Sequence, residues 1–268
     1  MKASLRSILG ASRPGAAGRR VTGARGFSLL ELLVVLAVTV ILTSLLFPAF
    51  RGVRESALRL RCAAHQRQIG TAIVLYAADH GDRLPPSRFA APGPHLMPQE
   101  MMAATLSVEQ PAATPYGDWE GLGWLIGSSR GSYLDSCACL YCPAHHGEHP
   151  FERYQPLFNA PTPGLGARIY TNYQYRGDRE LGTNDVVRFR NAHEEILVSD
   201  GLRTRSDFNH IVGGNLLHGD GAVTWFEDTA RQLLYALPVD VMPQSVQVDQ
   251  YKEIWSRIAK MSLSDASE

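Results

Sequence analysis

The sequence is poorest in the patterns that mark catalysis. No phosphate-binding loop or H-E-x-x-H helix occurs in its 268 residues, so no phosphate-loop or zinc-peptidase signature is present. Serine, histidine and aspartate are scattered widely enough that any chosen trio is uninformative. No catalytic residue is assigned, and an enzyme is not expected. A run of alternating acids is also missing, which excludes an EF-hand. There is no internal repeat. Net charge is zero, with 26 basic and 26 acidic residues, but the two signs are unevenly placed. Residues 1–26 hold Lys2, Arg6, Arg13, Arg19, Arg20 and Arg25 and no acid, leaving the remainder at −6. No basic stripe survives beyond that leader, so nucleic-acid binding is not expected.

Behind the leader runs a long apolar stretch, Leu32 to Phe50, interrupted only by Thr39, Thr43, Ser44 and Pro48. As a helix, residues 27–50 would extend roughly 36 Å, enough for a ~30 Å hydrocarbon core. A basic leader ahead of such a run stays cytoplasmic under the positive-inside rule. A secretory signal would carry a small-residue cleavage site after the run; here the small residue, Gly26, precedes it. Glu31 stands out, because a carboxylate inside an apolar membrane helix costs about 2.5–3.5 kcal/mol and calls for a partner. Cleavage after Gly26 would expose the α-amine of Phe27, which a neighbouring copy could present to Glu31. The alternative is a carboxylate that merely reaches the membrane surface.

The stretch Gly26-Phe27-Ser28-Leu29-Leu30-Glu31 behind a basic leader resembles the type IV prepilin and type II secretion pseudopilin signal. The resemblance implies a membrane prepilin peptidase that cuts after Gly26 and methylates Phe27. It implies inner-membrane anchoring by a single pass, an extracytoplasmic carboxyl domain, and assembly with other pilin or pseudopilin subunits. Pro48 falls where many members carry a helix-kinking proline, and proline removes a helical hydrogen bond.

Beyond the run, Leu58, Cys62, Ile69, Ala72, Ile73 and Tyr76 form one apolar helical stripe. His80-Gly81-Asp82 and Pro85-Pro86 close it. The expected organisation is a leader over 1–26, a transmembrane helix over 27–50, an amphipathic helix half over 51–82, and a globular domain over 83–268. A short helix is read over Gln99–Leu106, and core positions at Leu122, Trp124, Leu125 and Ile126. Strand signals fall at Ala167–Tyr175, Glu195–Ser199, Asn215–His218 and Ala222–Phe226, the last two flanking a Gly219-Asp220-Gly221 turn. Helices are read from an Asp228 cap to Leu237 and over Asp249–Met261. A long helix against an antiparallel sheet is an α+β, pilin-like fold.

His210, nine residues and then Asp220-Gly221 resemble the H-x9-D-G segment of a large subgroup of prepilin-like proteins. The stretch from Cys62 to Pro86 is similar to that subgroup's helix pattern, departing from it at His65-Gln66-Arg67 and keeping Gln68. Cys142-Pro143 also resembles a pair usual there. Asp220, with Asp200 or Asp207, is a candidate calcium ligand; the alternative is a turn residue, since Asp-Gly suits a tight hairpin. His210 could orient Asp220 across the hairpin, or could simply be packed. Cys137, Cys139, Cys142, His145 and His146 offer zinc-ligand types within ten residues, although the second cysteine pair expected about fifteen residues away is missing. In an exported domain a disulfide is the competing reading, local or from Cys62 to one of the three. No cofactor is required. A membrane-tethered metal-binding protein or enzyme built on Cys137–His146 is the alternative to a structural subunit.

Overall fold

The computed structural model describes residues 27–107, 119–127, 130–210 and 212–265, apart from the side chains of 46–51 and 263–265. The leader, Gly26 and the side chain of Pro48 lie outside the described residues. The chain divides between Phe50 and Arg51 into two units.

One helix, α1 (Leu29–Asp79), covers the end of the first unit and the start of the second and is unbroken at position 48. In the first unit its apolar side chains from Leu29 to Leu45 point in every direction and are exposed. In the second unit only one stripe is buried: Cys62, Ile69, Ala72, Ile73 and Tyr76, with Leu58 half-buried beside them. Gln66 joins that face, fully buried, its Nε2 donating to the carbonyl of Asn215 at 3.1 Å. The helix stops as its sequence requires. Gly81 and Asp82 turn left-handed at φ 64° and 66°, and the Asp82 N–H returns to the Ala77 carbonyl at 2.8 Å.

Strands β1 (Tyr173–Tyr175), β2 (Ile196–Asp200), β3 (Gly213–His218) and β4 (Val223–Glu227) form one antiparallel sheet in chain order. Side chains alternate between the two faces of the sheet, except that a register shift between Ile196 and Val198 sends these two to opposite sides, and each face packs on its own core. Val198 and Leu217 join the α1 stripe in one core, while Ile196, Leu216 and Phe226 join Tyr251, Ile254 and Ile258 of a carboxyl-terminal helix in another. Gly70 lets α1 approach β3 closely, because a Cβ there would lie 2.9 Å from Leu217 Cδ1. The fold is α+β, an N-terminal helix packed on an antiparallel sheet.

Several elements differ from the sequence expectation for identifiable reasons. Only Tyr173–Tyr175 of the expected Ala167–Tyr175 strand joins the sheet. Upstream, Thr171 donates to the Met102 carbonyl and the Ile169 carbonyl accepts from Ala104, so these residues pair with the 102–105 segment instead. That pairing, with bridges from Ala103 to Tyr170 and Thr105 to Trp119, reduces the expected Gln99–Leu106 helix to a 3-10 turn at Pro98–Glu100. Asp228 caps as expected, its carboxylate accepting the N–H groups of Leu233 and Leu234, but the helix it precedes covers only Gln232–Ala236. A helix at Phe151–Phe158, α2, was hidden by Pro156 within it, so Gln232–Ala236 is α3. The last helix, α4, is longer than expected, Gln244–Asp265. Leu122 and Leu125 are core, while Trp124 and Ile126 are only partly buried.

Glu120 precedes a 3-10 turn (Gly121–Leu125), buried, with its Oε2 accepting the Arg88 N–H at 3.2 Å. Burial, opposed by hydrogen bonds and the charge of Arg88, pushes its carboxyl from 4.5 up to about 7. The fold therefore favours the neutral acid. Its contribution is complete below 4.5 and is lost as pH rises through about 7. Glu120→Gln should flatten that decline, so its melting temperature relative to the parent should rise between pH 5 and pH 8. A constant difference across that range would contradict the placement.

Candidate functional site

Two regions gather the residues singled out by sequence. At the start of α1, Ser28 and Glu31 form a reciprocal pair. The Glu31 N–H donates to Ser28 Oγ at 3.1 Å, and the Ser28 N–H donates to Glu31 Oε2 at 3.2 Å. This is a capping box. The Ser28-x-x-Glu31 spacing carried that signal, and sequence reasoning passed over it. The box gives Glu31 a partner within its own chain, and its remaining lone pairs can still accept an incoming cation. Phe27 is exposed just ahead of it.

The second region lies inside the sheet-bearing unit. Cys62 projects from the buried face of α1, and Cys142 from the loop after a 3-10 turn at Cys137–Leu140. Asp200 ends β2, and His210 precedes β3. One donor atom from each lies within 4.8 Å of all the others, and all four residues are buried. Cys62 Sγ donates to Asp200 Oδ1 at 3.0 Å, while Cys142 Sγ lies 3.6 Å and Asp200 Oδ2 3.8 Å from His210 Nε2.

A second layer holds these groups. The Asn215 N–H donates to Asp200 Oδ2 at 2.6 Å, and Asn209 Nδ2 to Asp200 Oδ1 at 3.1 Å. His210 Nδ1 meets Glu55 Oε1 at 2.9 Å, and the imidazole stands edge-on to Trp225. The Tyr173 hydroxyl is 3.4 Å from Cys62 Sγ. Burial pushes both thiols upward, that of Cys62 most strongly. At His210 burial works downward, but hydrogen bonds to Cys62 and Glu55 and the charge of Asp200 raise it to about 9.

The other expected groupings are not brought together. Asp200 and Asp220 sit at opposite ends of β2: Asp200 closes it, while Ile196 pairs with His218 just before the turn. Four residues of strand separate them by about 13 Å. Asp220 Oδ1 instead accepts the Ala222 N–H at 2.8 Å, and Gly221 turns at φ 84°, which makes Asp220 a turn residue. His210 bonds Glu55 rather than orienting Asp220. Within Cys137–His146, Cys139 Sγ donates to Gln68 Oε1 at 2.8 Å, His145 Nδ1 meets Asn209 Oδ1 at 2.7 Å, and His146 is exposed. Only Cys142 turns into the buried cluster. All four cysteines are free thiols. Asp207 pairs with His149 at 2.8 Å beside Glu148, where the Arg203 guanidinium reaches both carboxylates and supplies the local positive charge. Sequence reasoning missed Glu55 and Asn215, although Glu55 lies one heptad before Cys62 on the same helix face.

Fold and N-terminus together define a class, an α+β protein whose first helix packs on an antiparallel sheet and opens with Phe27-Ser28-x-x-Glu31. Residues 22–47 match the family model described as the prokaryotic N-terminal methylation motif. The chain is thus type IV prepilin-like at its N-terminus. No curated protein and no solved structure matches it. Among the described residues no helix is long and apolar enough to cross a membrane. The side chains described in the apolar run end at Leu45, short of the Phe50 to which the run extends in sequence.

Native-state alkylation should reflect this geometry. Cys137 and Cys139 are half-buried at the surface and should react with iodoacetamide first, while Cys62 and Cys142 should react only on unfolding. Equal rates at all four, read by peptide mapping, would contradict the arrangement.

Proposed function

We propose that the chain is a pilin-like structural subunit without catalytic activity. A prepilin peptidase cuts after Gly26 and methylates Phe27. The apolar part of α1 then holds the subunit in the inner membrane as a single pass, leader inward and carboxyl domain outward. Subunits pass from there into a type IV pilus-like filament or a type II secretion pseudopilus. The observation that carries this reading is the methylation motif over residues 22–47, coinciding with a helix whose apolar side chains from Leu29 to Leu45 remain 48–81% exposed. Apolar surface on that scale favours burial in lipid or against other helices.

Glu31 has a part in docking as well as capping. A carboxylate at the helix start attracts the Phe27 amine of an adjacent copy, and in a low-dielectric surrounding that attraction fixes one register. No observation favours an enzyme built on Cys137–His146, whose side chains turn to different partners.

Gly26→Leu should leave a longer, unprocessed chain in cells that contain the peptidase, seen as slower migration and a retained leader. Glu31→Asp should assemble better than Glu31→Leu, scored as sheared filament or crosslinked multimer. Normal processing of Gly26→Leu would refute the maturation step, and equal assembly of the two Glu31 variants would refute the docking role.

A further inference from the structure

The cluster of Cys62, Cys142, Asp200 and His210 is more than a packed polar knot. We propose that it is a structural binding site for one divalent transition-metal ion of the zinc class, which ties α1 to the sheet. Three observations on geometry and chemistry support this.

The donor set is right. Two thiols, one imidazole and one carboxylate suit tetrahedral zinc and suit calcium or magnesium poorly. The separations are close to those of a shared tetrahedral ion. With metal–sulfur near 2.3 Å and metal–nitrogen near 2.0–2.1 Å, a tetrahedral S···N edge is about 3.6 Å and an O···N edge about 3.4 Å. Cys142 Sγ to His210 Nε2 is 3.6 Å, and Asp200 Oδ2 to His210 Nε2 is 3.8 Å. The closer approach of Cys62 Sγ to Asp200 Oδ1, 3.0 Å, is a hydrogen bond whose proton an ion would displace.

The surroundings are also arranged as a ligand shell requires. A metal-binding histidine usually donates its other nitrogen to a carboxylate, which fixes the tautomer. His210 does this through Nδ1 to Glu55, turning Nε2 toward the two sulfurs. Asp200 is steadied by Asn215 and Asn209, and its approach to Cys62 sets the carboxylate beside the first sulfur. Loading a divalent ion releases one proton from each thiol and frees His210 Nε2 of the proton it carries as an imidazolium, leaving a centre of net charge −1, which these amide donors face. All four ligands are buried, so four protein ligands complete the shell and no position stays open for substrate. The site is structural.

The test uses the untagged full-length chain. Elemental analysis of protein expressed with zinc should find one zinc per chain. After removal by chelator, titration with Co²⁺ should reach saturation at one equivalent, with tetrahedral visible bands and thiolate-to-cobalt charge transfer in the near ultraviolet. Cys62→Ser and Cys142→Ser should lose the charge transfer, whereas the Cys137→Ser/Cys139→Ser double variant should keep it. Because a buried cysteine variant can fail to fold, the unmutated stripped chain is also melted with and without excess zinc. A rise on the order of 5–10 °C is expected for a tightly held structural ion. Cobalt bound without charge transfer, charge transfer lost in the Cys137/Cys139 variant, an unshifted melt, or a Cys62–Cys142 disulfide in peptide maps would each overturn the proposal. These readouts do not depend on processing at Gly26, so this site and the assembly role stand or fall separately.

Discussion

Everything else in this protein depends on a change in what one helix shows to its surroundings. From Leu29 to Leu45 the apolar side chains of α1 cover the whole circumference and are exposed, while from Leu58 to Tyr76 those that are buried form a single stripe. A stripe can be buried by one packed face, and this one joins a core shared with β1, β2, β3 and the loops around Leu122 and Leu140. A full circumference cannot be buried by any single surface. Its burial calls for a surrounding medium, lipid or other helices.

The same distinction explains what was legible in the sequence. Helical periodicity at Cys62, Ile69, Ile73 and Tyr76 was readable because one face meets a dry core and the others meet water. The β3–β4 turn was readable because Gly219-Asp220-Gly221 meets a local need for positive φ, which Gly221 supplies. The expected strand from Ala167 was too long because its first half finds backbone partners at Met102 and Ala104, over sixty residues earlier in the chain. No local pattern encodes such a pairing. The expected helix over Gln99–Leu106 failed for the same reason, since its backbone was needed by that partner.

For the polar cluster the limits were different. Cys62, Cys142, Asp200 and His210 each stand out in the sequence, but in other groupings. Proximity along the chain favoured Cys137–His146 as a metal set, and chemical likeness favoured Asp200 with Asp220. The strands decide otherwise. Asp200 and Asp220 are sent to opposite ends of β2, and Cys142 turns inward while Cys139 bonds Gln68. Burial then selects the group that matters, since buried polar side chains must be satisfied by one another or by an ion. Placed between α1 and the sheet, the cluster acts where the helix stripe alone would leave polar groups inside a core.

The maturation on which the assembly role rests can be read from a single mass. The chain should be recovered from a host that carries a prepilin peptidase and its N-terminal peptide analysed intact. A peptide beginning at Phe27 and heavier by one methyl group is expected. A peptide that still begins at Met1, or one cut elsewhere with an unmodified amine, would contradict prepilin-type maturation.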